Sequence, residues 1–166
     1  MSLNNVAIFY PLWAFGLMVI SLILVPRREY SILLPHGFIG SLLGFIVLYI
    51  GSNILGAWSY VKAEPFVFLG VPAFIIAAWG ASAIIFLWAL PFHAPQWVHY
   101  LYILLFALAG GAIDDLFHQM GLRVYSPNYR WWMWVPAVFF IFWSSYQVYL
   151  WRLHLPTGLG GKQPND

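Results

Sequence analysis

The sequence predicts an all-α, polytopic integral membrane protein with about five transmembrane helices. Of the 166 residues, 63% are hydrophobic and 7% are charged, whereas a soluble domain carries about 25% charged residues. A core for a chain of this length needs fewer apolar side chains, so the surplus is expected to face lipid. The apolar residues also form long unbroken runs, unlike the alternating strands of about 10 residues in membrane β-barrels.

The charge and the cysteine content exclude further kinds of site and partner. The sequence has no Cys, so it has no disulfide, thiolate metal site or thiol chemistry. Seven basic against five acidic side chains leave a formal net charge of +2. We therefore expect no nucleic-acid partner. The composition indicates the lipid bilayer as the main surroundings of the chain.

Five spans of about 20 mostly apolar residues are predicted, at residues 8–25, 31–55, 66–90, 97–120 and 131–151. The first ends at Pro26–Glu29. It has neither a basic N-terminal region nor a cleavage motif, so it is interpreted as a retained helix and not as a signal peptide. The second is followed by the polar break Lys62–Pro65.

The third and fourth spans share one charge-free stretch, Pro65–Ile113, which is too long for one helix. Pro91–Gln96 divides it, because its prolines do not fit inside a regular helix. Gly121 is a favourable helix C-terminus. The polar loop Arg123–Arg130 precedes the fifth span, and residues 156–166 are predicted to be a flexible polar tail.

An odd number of spans places the two termini on opposite sides of the membrane. With the N-terminus outside, the inner basic residues are Arg27, Arg28, Arg152 and Lys162, and the outer ones are Lys62, Arg123 and Arg130. The positive-inside rule then favours, by a narrow majority, an outside N-terminus and an inside C-terminus. The expected location is a bacterial cytoplasmic membrane.

Aromatic and small residues indicate how the helices sit and pack. Trp and Tyr concentrate near the predicted span ends, as at Trp58, Trp131 and Trp132, which is typical of interfacial belts. Gly40-x-x-x-Gly44 and Gly110-Gly111 predict close helix contacts. Those contacts could lie within one chain, in a homo-oligomer or against another membrane protein.

The clearest candidate for chemistry is Asp114-Asp115-x-x-His118, because spacings of three and four residues converge on one helix edge. The topology brings Glu64 to the same side. Asp114, Asp115, His118 and Glu64 could therefore hold a divalent metal such as Mg²⁺, Mn²⁺, Fe or Zn²⁺, with the first three also catalytic. No specific cofactor is indicated.

Two other interpretations of this cluster stay open. Asp114 or Asp115 could form a salt bridge with Arg123 or Arg130, while His118 supports the helix C-terminus. The cluster could instead belong to a proton or ion pathway. On the opposite side, His36, His93 and His99 could ligate a metal or a haem, or simply hydrogen-bond to backbone and water.

The layout resembles an uncharacterised family of small, aromatic-rich, multi-span membrane proteins from spore-forming Firmicutes. The motifs that carry the resemblance are Tyr10–Trp13, Pro26–Tyr30, Leu69–Pro72 with Ala78-Trp79, and Asp114–Gly121 leading to Tyr125 and Trp131-Trp132. The resemblance covers most of the chain and implies no activity.

Three classes of function follow from these observations. A structural or accessory membrane protein is favoured by the scarcity of charge inside the spans. The alternative is a metal-dependent enzyme that acts on a lipid or isoprenoid through Asp114, Asp115 and His118. A small transporter or ion pathway is the third class, and the apolar middles of the spans disfavour it.

Overall fold

The computed structural model describes residues 8–61 and 63–154, and the predicted tail at 156–166 lies outside them. The described chain is mostly helical. Its α-helices are α1 (Phe9–Leu24), α2 (Arg27–Tyr49), α3 (Ala73–Trp88), α4 (Gln96–Gln119) and α5 (Val135–His154). A π-helical turn, Ile50–Ile54, continues α2, and a 3₁₀ turn, Trp131–Trp134, leads into α5.

Four short strands form two antiparallel ribbons, which the sequence analysis did not predict. Strand β1 (Trp58–Tyr60) pairs with β4 (Arg123–Tyr125), and β2 (Val67–Phe68) pairs with β3 (Val71–Pro72). The β1–β4 ribbon joins the α2–α3 connection to the α4–α5 connection. These two connections therefore lie on one side of the helices, as the five-span topology predicted.

Successive helices run in opposite directions. We call the side of the β1–β4 ribbon the ribbon end and the other side the opposite end. At the ribbon end, the Tyr10 hydroxyl near the start of α1 donates a hydrogen bond to the Leu122 carbonyl. At the opposite end, His99 near the start of α4 lies 2.8 Å from the Tyr146 hydroxyl in α5.

Helix α3 is the centre of the bundle and packs against α1, α2 and α5. Two glycines on α2 permit its close approach. A Cβ at Gly44 would lie 2.5 Å from the Trp79 ring, and one at Gly40 would overlap Ala83. The small-residue contact that the sequence left open is thus made within the chain.

In the part of the chain that the structure describes, three helical stretches are long and apolar enough to cross a membrane, namely Arg27–Ile54, Gln96–Gln119 and Trp131–Arg152. Helices α1 and α3 are apolar but have 16 residues each, about 24 Å at 1.5 Å per residue.

The third predicted span, 66–90, begins too early, because α3 starts at Ala73. Leu69 and Gly70, with φ of 47° and 81°, form the two-residue turn of the β2–β3 hairpin. Positive φ at both central residues is the signature of a type I′ turn, which matches the twist of the flanking strands.

Candidate functional site

The C-terminus of α4 turns the chain back along the helix. Gly121 adopts a φ of 70°, and the N–H groups of Gly121 and Leu122 donate to the carbonyls of His118 and Phe117, both at 2.9 Å. This pattern is a Schellman motif, which glycine favours because it has no Cβ to strain a left-handed residue. The reversal brings Arg123 of β4 beside Asp114 of α4.

Asp114 and Arg123 form a buried ion pair. Their side chains are only 4% and 3% exposed. The Tyr125 hydroxyl donates a hydrogen bond of 2.6 Å to the second carboxylate oxygen of Asp114. Both oxygens of this carboxylate are therefore engaged by protein groups, so the pair neutralises itself within the fold.

Aromatic rings enclose the Arg123 guanidinium. Its central carbon lies 4.7 Å from the Trp58 ring centroid, 5.0 Å from that of Tyr60 and 5.7 Å from that of Trp134. Distances within about 6 Å allow cation–π attraction. Arg123 Nη2 also donates to the Tyr60 hydroxyl at 3.0 Å.

The register of the ribbon explains this enclosure. Trp58 pairs with Tyr125 and Tyr60 pairs with Arg123, which places all four side chains on one face. Ser59 and Val124, the residues between them, are exposed on the other face. The two strands thus supply the inner face of the site.

Several hydrogen-bonding atoms near Arg123 are buried without a partner in the described part of the chain: Arg123 Nε, Trp58 Nε1 and the Tyr129 hydroxyl. The Trp58 ring contacts both of the other residues, because its centroid is 4.7 Å from Arg123 Cζ and 5.2 Å from the Tyr129 centroid. Burial raises the pKa of Tyr125 and of Tyr129 to about 12, against the opposing effect of the Arg123 charge.

The other residues of the predicted metal site have separate roles. His118 Nδ1 donates to the Arg123 carbonyl at 2.9 Å, and its ring stacks on Tyr125 at 4.1 Å. Asp115 accepts a hydrogen bond of 2.7 Å from Gln119, and Glu64 is exposed in the β1–β2 connection.

Across residues 8–61 and 63–154, no three His, Asp or Glu side chains are grouped so that they could hold a metal ion. The four predicted ligands are therefore not brought together. Arg123 takes the position beside Asp114 that a cation would need, which corresponds to the salt-bridge interpretation of the motif.

The predicted histidine cluster at the opposite end is also dispersed. His99 Nε2 donates to the Pro91 carbonyl at 2.9 Å, and its Nδ1 accepts from Tyr146. His36 is 1% exposed, and among the described residues its ring nitrogens make no well-formed hydrogen bond, with only a weak interaction with the backbone of Ile32 one turn earlier. Its ring meets Tyr149 edge-on at 5.1 Å. His93 is exposed in the turn between α3 and α4.

An apolar cavity of about 220 Å³ adjoins the ion pair. It lies between α1 and α3 on one side and α4 on the other, and Asp114 and Arg123 line its ribbon end. Apolar and aromatic side chains form most of its wall, including Trp13, Trp79, Phe106, Phe117 and Trp134. This is the usual character of a small-molecule site, with few polar groups in an apolar enclosure.

Comparisons with protein-family models, curated proteins and solved structures find no match for this chain. The resemblance to a Firmicutes family therefore stays a prediction. Sequence reasoning also missed the contribution of Trp58, Tyr60 and Trp134, because it assigned aromatics near span ends to the interface. The alternation of exposed Ser59 between two aromatics is the one signal that could have identified β1.

Proposed function

We propose that the protein is a five-span membrane protein with a structural or accessory role, acting by binding and not by metal-dependent catalysis. The carrying observation is the ion pair between Asp114 and Arg123. The buried carboxylate has both oxygens engaged, one by Arg123 and one by Tyr125. The role of this carboxylate is therefore to stabilise the ribbon end.

Five spans are supported by the alternating direction of the helices and by the side chains they expose. Phe15 and Ile23 of α1 are 65% and 76% exposed, which suits contact with lipid. Helix α3 is short for a bilayer core of about 30 Å. The exposed Phe66, Phe68 and Leu69 of the preceding hairpin extend its apolar surface toward the ribbon end.

The proposed location is a bacterial cytoplasmic membrane with the opposite end inside. Arg27, Arg28 and Arg152 are exposed at that end. At the ribbon end Arg130 is exposed, whereas Arg123 is buried in the ion pair. The positive-inside rule assigns the more basic side to the cytoplasm, which leaves the N-terminus outside.

The test is elemental analysis and thermal unfolding of the detergent-purified protein, with Asp114→Asn beside Asp115→Asn. We expect no stoichiometric divalent metal and a large loss of stability in Asp114→Asn alone. Near-stoichiometric metal that disappears in Asp114→Asn would overturn the proposal in favour of the metal-enzyme alternative.

A second candidate function, binding of a lipid-like or isoprenoid molecule, is favoured by the apolar cavity. Its aromatic walls end at two charged side chains, Asp114 of α4 and Arg123 of β4. Retention of a radiolabelled hydrophobic ligand by the purified protein tests this candidate. Loss of retention when the cavity is filled would identify the site.

A further inference from the structure

The cavity beside the ion pair has the size and wall of a site for a planar ring. Its volume is about 220 Å³, and a dry apolar cavity of about 150 Å³ already binds benzene. Four aromatic side chains from different helices line it: Trp79, Phe106, Trp134 and Phe142. Aromatic rings favour stacked or edge-on contact with another flat π-system.

The polar end of the cavity has a hydrogen-bond donor, the Arg123 guanidinium. Arg123 lines the cavity and is 3% exposed, and its Nε has no hydrogen-bond partner among the described residues. A buried donor without a partner costs about 1–3 kcal/mol. Nε has no accessible surface of its own, so an oxygen acceptor at this end of the cavity would reach the guanidinium after a shift of the surrounding rings and would then remove that cost.

The charge balance at this end of the cavity favours a neutral ligand. The Arg123 charge is already balanced by Asp114, so a carboxylate or phosphate ligand would bring an uncompensated negative charge into an apolar enclosure. A carbonyl oxygen accepts a hydrogen bond without that charge.

One side of the cavity reaches the surface of the bundle. Ala109 lines the cavity and is exposed on α4. In the proposed membrane topology, this opening faces lipid near the middle of the helix. A tail attached to the bound ring could leave the cavity there.

We propose that the cavity binds a neutral, planar carbonyl compound of the quinone class. One carbonyl oxygen accepts a hydrogen bond from Arg123, and the apolar tail passes Ala109 into the bilayer. This inference rests on the proposed membrane location and binding role, and it names the ligand class of that site.

The test uses the full chain in lipid nanodiscs and a benzoquinone with a decyl tail. Binding is read as saturable quenching of tryptophan fluorescence, because Trp79 and Trp134 line the cavity. Decylbenzene, which lacks a carbonyl, and decanoate, which is an anion, are the comparison ligands. We expect the quinone to quench the fluorescence saturably. We expect neither decylbenzene nor decanoate to bind or to displace it.

Two variants on α4 locate the site. Ala109→Phe fills the opening, and we expect the quinone Kd to rise about tenfold or more, equivalent to about 1.4 kcal/mol. Ala112→Phe is the matched control, since Ala112 is also exposed on α4 but does not line the cavity. Arg123→Lys keeps the charge but removes the Nε donor, so it should also weaken binding.

Equal binding of decylbenzene, tighter binding of decanoate, or equal effects of Ala109→Phe and Ala112→Phe would each overturn the inference. So would the absence of saturable quinone binding to the folded wild type. None of these results bears on the stability and metal content that test the proposed function, so the two can fail separately.

Discussion

Arg123 lies beside Asp114 because a glycine turn reverses the chain between them. Along the chain, one Schellman motif lies between the two residues. The β1–β4 ribbon covers their ion pair on the outer side. Local backbone geometry thus brings the two charges together, and long-range strand pairing excludes water from them.

Loss of one partner of this pair should be costly. Asp114→Asn leaves the Arg123 charge buried and uncompensated, which we expect to lower the free energy of unfolding by about 3–5 kcal/mol. Asp115→Asn should change it by less than about 1 kcal/mol, because the hydrogen bond of that side chain is an exposed one to Gln119. Thermal unfolding in detergent measures both.

A double variant provides the control for charge. Asp114→Asn combined with Arg123→Gln removes both charges, so it should regain part of the stability that the single variant loses. A double variant no more stable than the single one would show that packing, and not the charge, holds the ribbon end.

Alkaline pH should open the same region. The pKa of Tyr125 and of Tyr129 is raised to about 12 by burial, above the value of about 10 in an unfolded chain. Their contribution to stability is complete below about pH 10 and is lost as the pH rises through about 12. The measurement is tyrosinate absorbance together with circular dichroism across this window.

Replacing Tyr125 by Phe should remove part of that alkaline transition. It also removes the 2.6 Å hydrogen bond to Asp114, which at neutral pH should cost about 1.5–3 kcal/mol as a bond to a charged group. An unchanged stability at neutral pH would contradict this assignment of the Asp114 carboxylate.

The glycine contact between α2 and α3 gives a further prediction. Gly40→Val should destabilise the fold by about 1–3 kcal/mol, because its side chain would overlap Ala83 and force the helices apart. Gly16→Ala is the control. A Cβ there meets nothing within 4 Å, so this change should be neutral or should add up to about 1 kcal/mol through helix propensity.

The two buried histidines should respond in opposite directions to the same substitution. His36→Phe removes two buried ring nitrogens whose nearest partner is a weak interaction with the Ile32 backbone, and it keeps the edge contact with Tyr149, so it should raise the unfolding temperature. His99→Phe loses hydrogen bonds to Pro91 and Tyr146 and should lower it. A fall in both variants would mean that the His36 ring is hydrogen-bonded in solution.

The helices could be predicted because continuous apolar runs, prolines and glycines act locally. Gly121 marks the end of α4 nearly where the sequence placed it. The β1–β4 ribbon joins residues more than 60 positions apart, and no local pattern carries that pairing. Sequence reasoning could offer Arg123 as one of two partners for an aspartate, but the choice between Arg123 and Arg130 depended on the ribbon.

The β1–β4 ribbon connects two groups of helices. Helices α1, α2 and α3 pack together, and α4 packs on α5, which also packs against α2 and α3. The covalent link between the two groups is the turn at Pro91–Pro95. The ribbon joins the groups again at the far end, because β1 belongs to the first group and β4 to the second. Helix packing and strand pairing both hold the two groups together, so fragments cut at that turn and co-expressed should reassemble without the peptide bond.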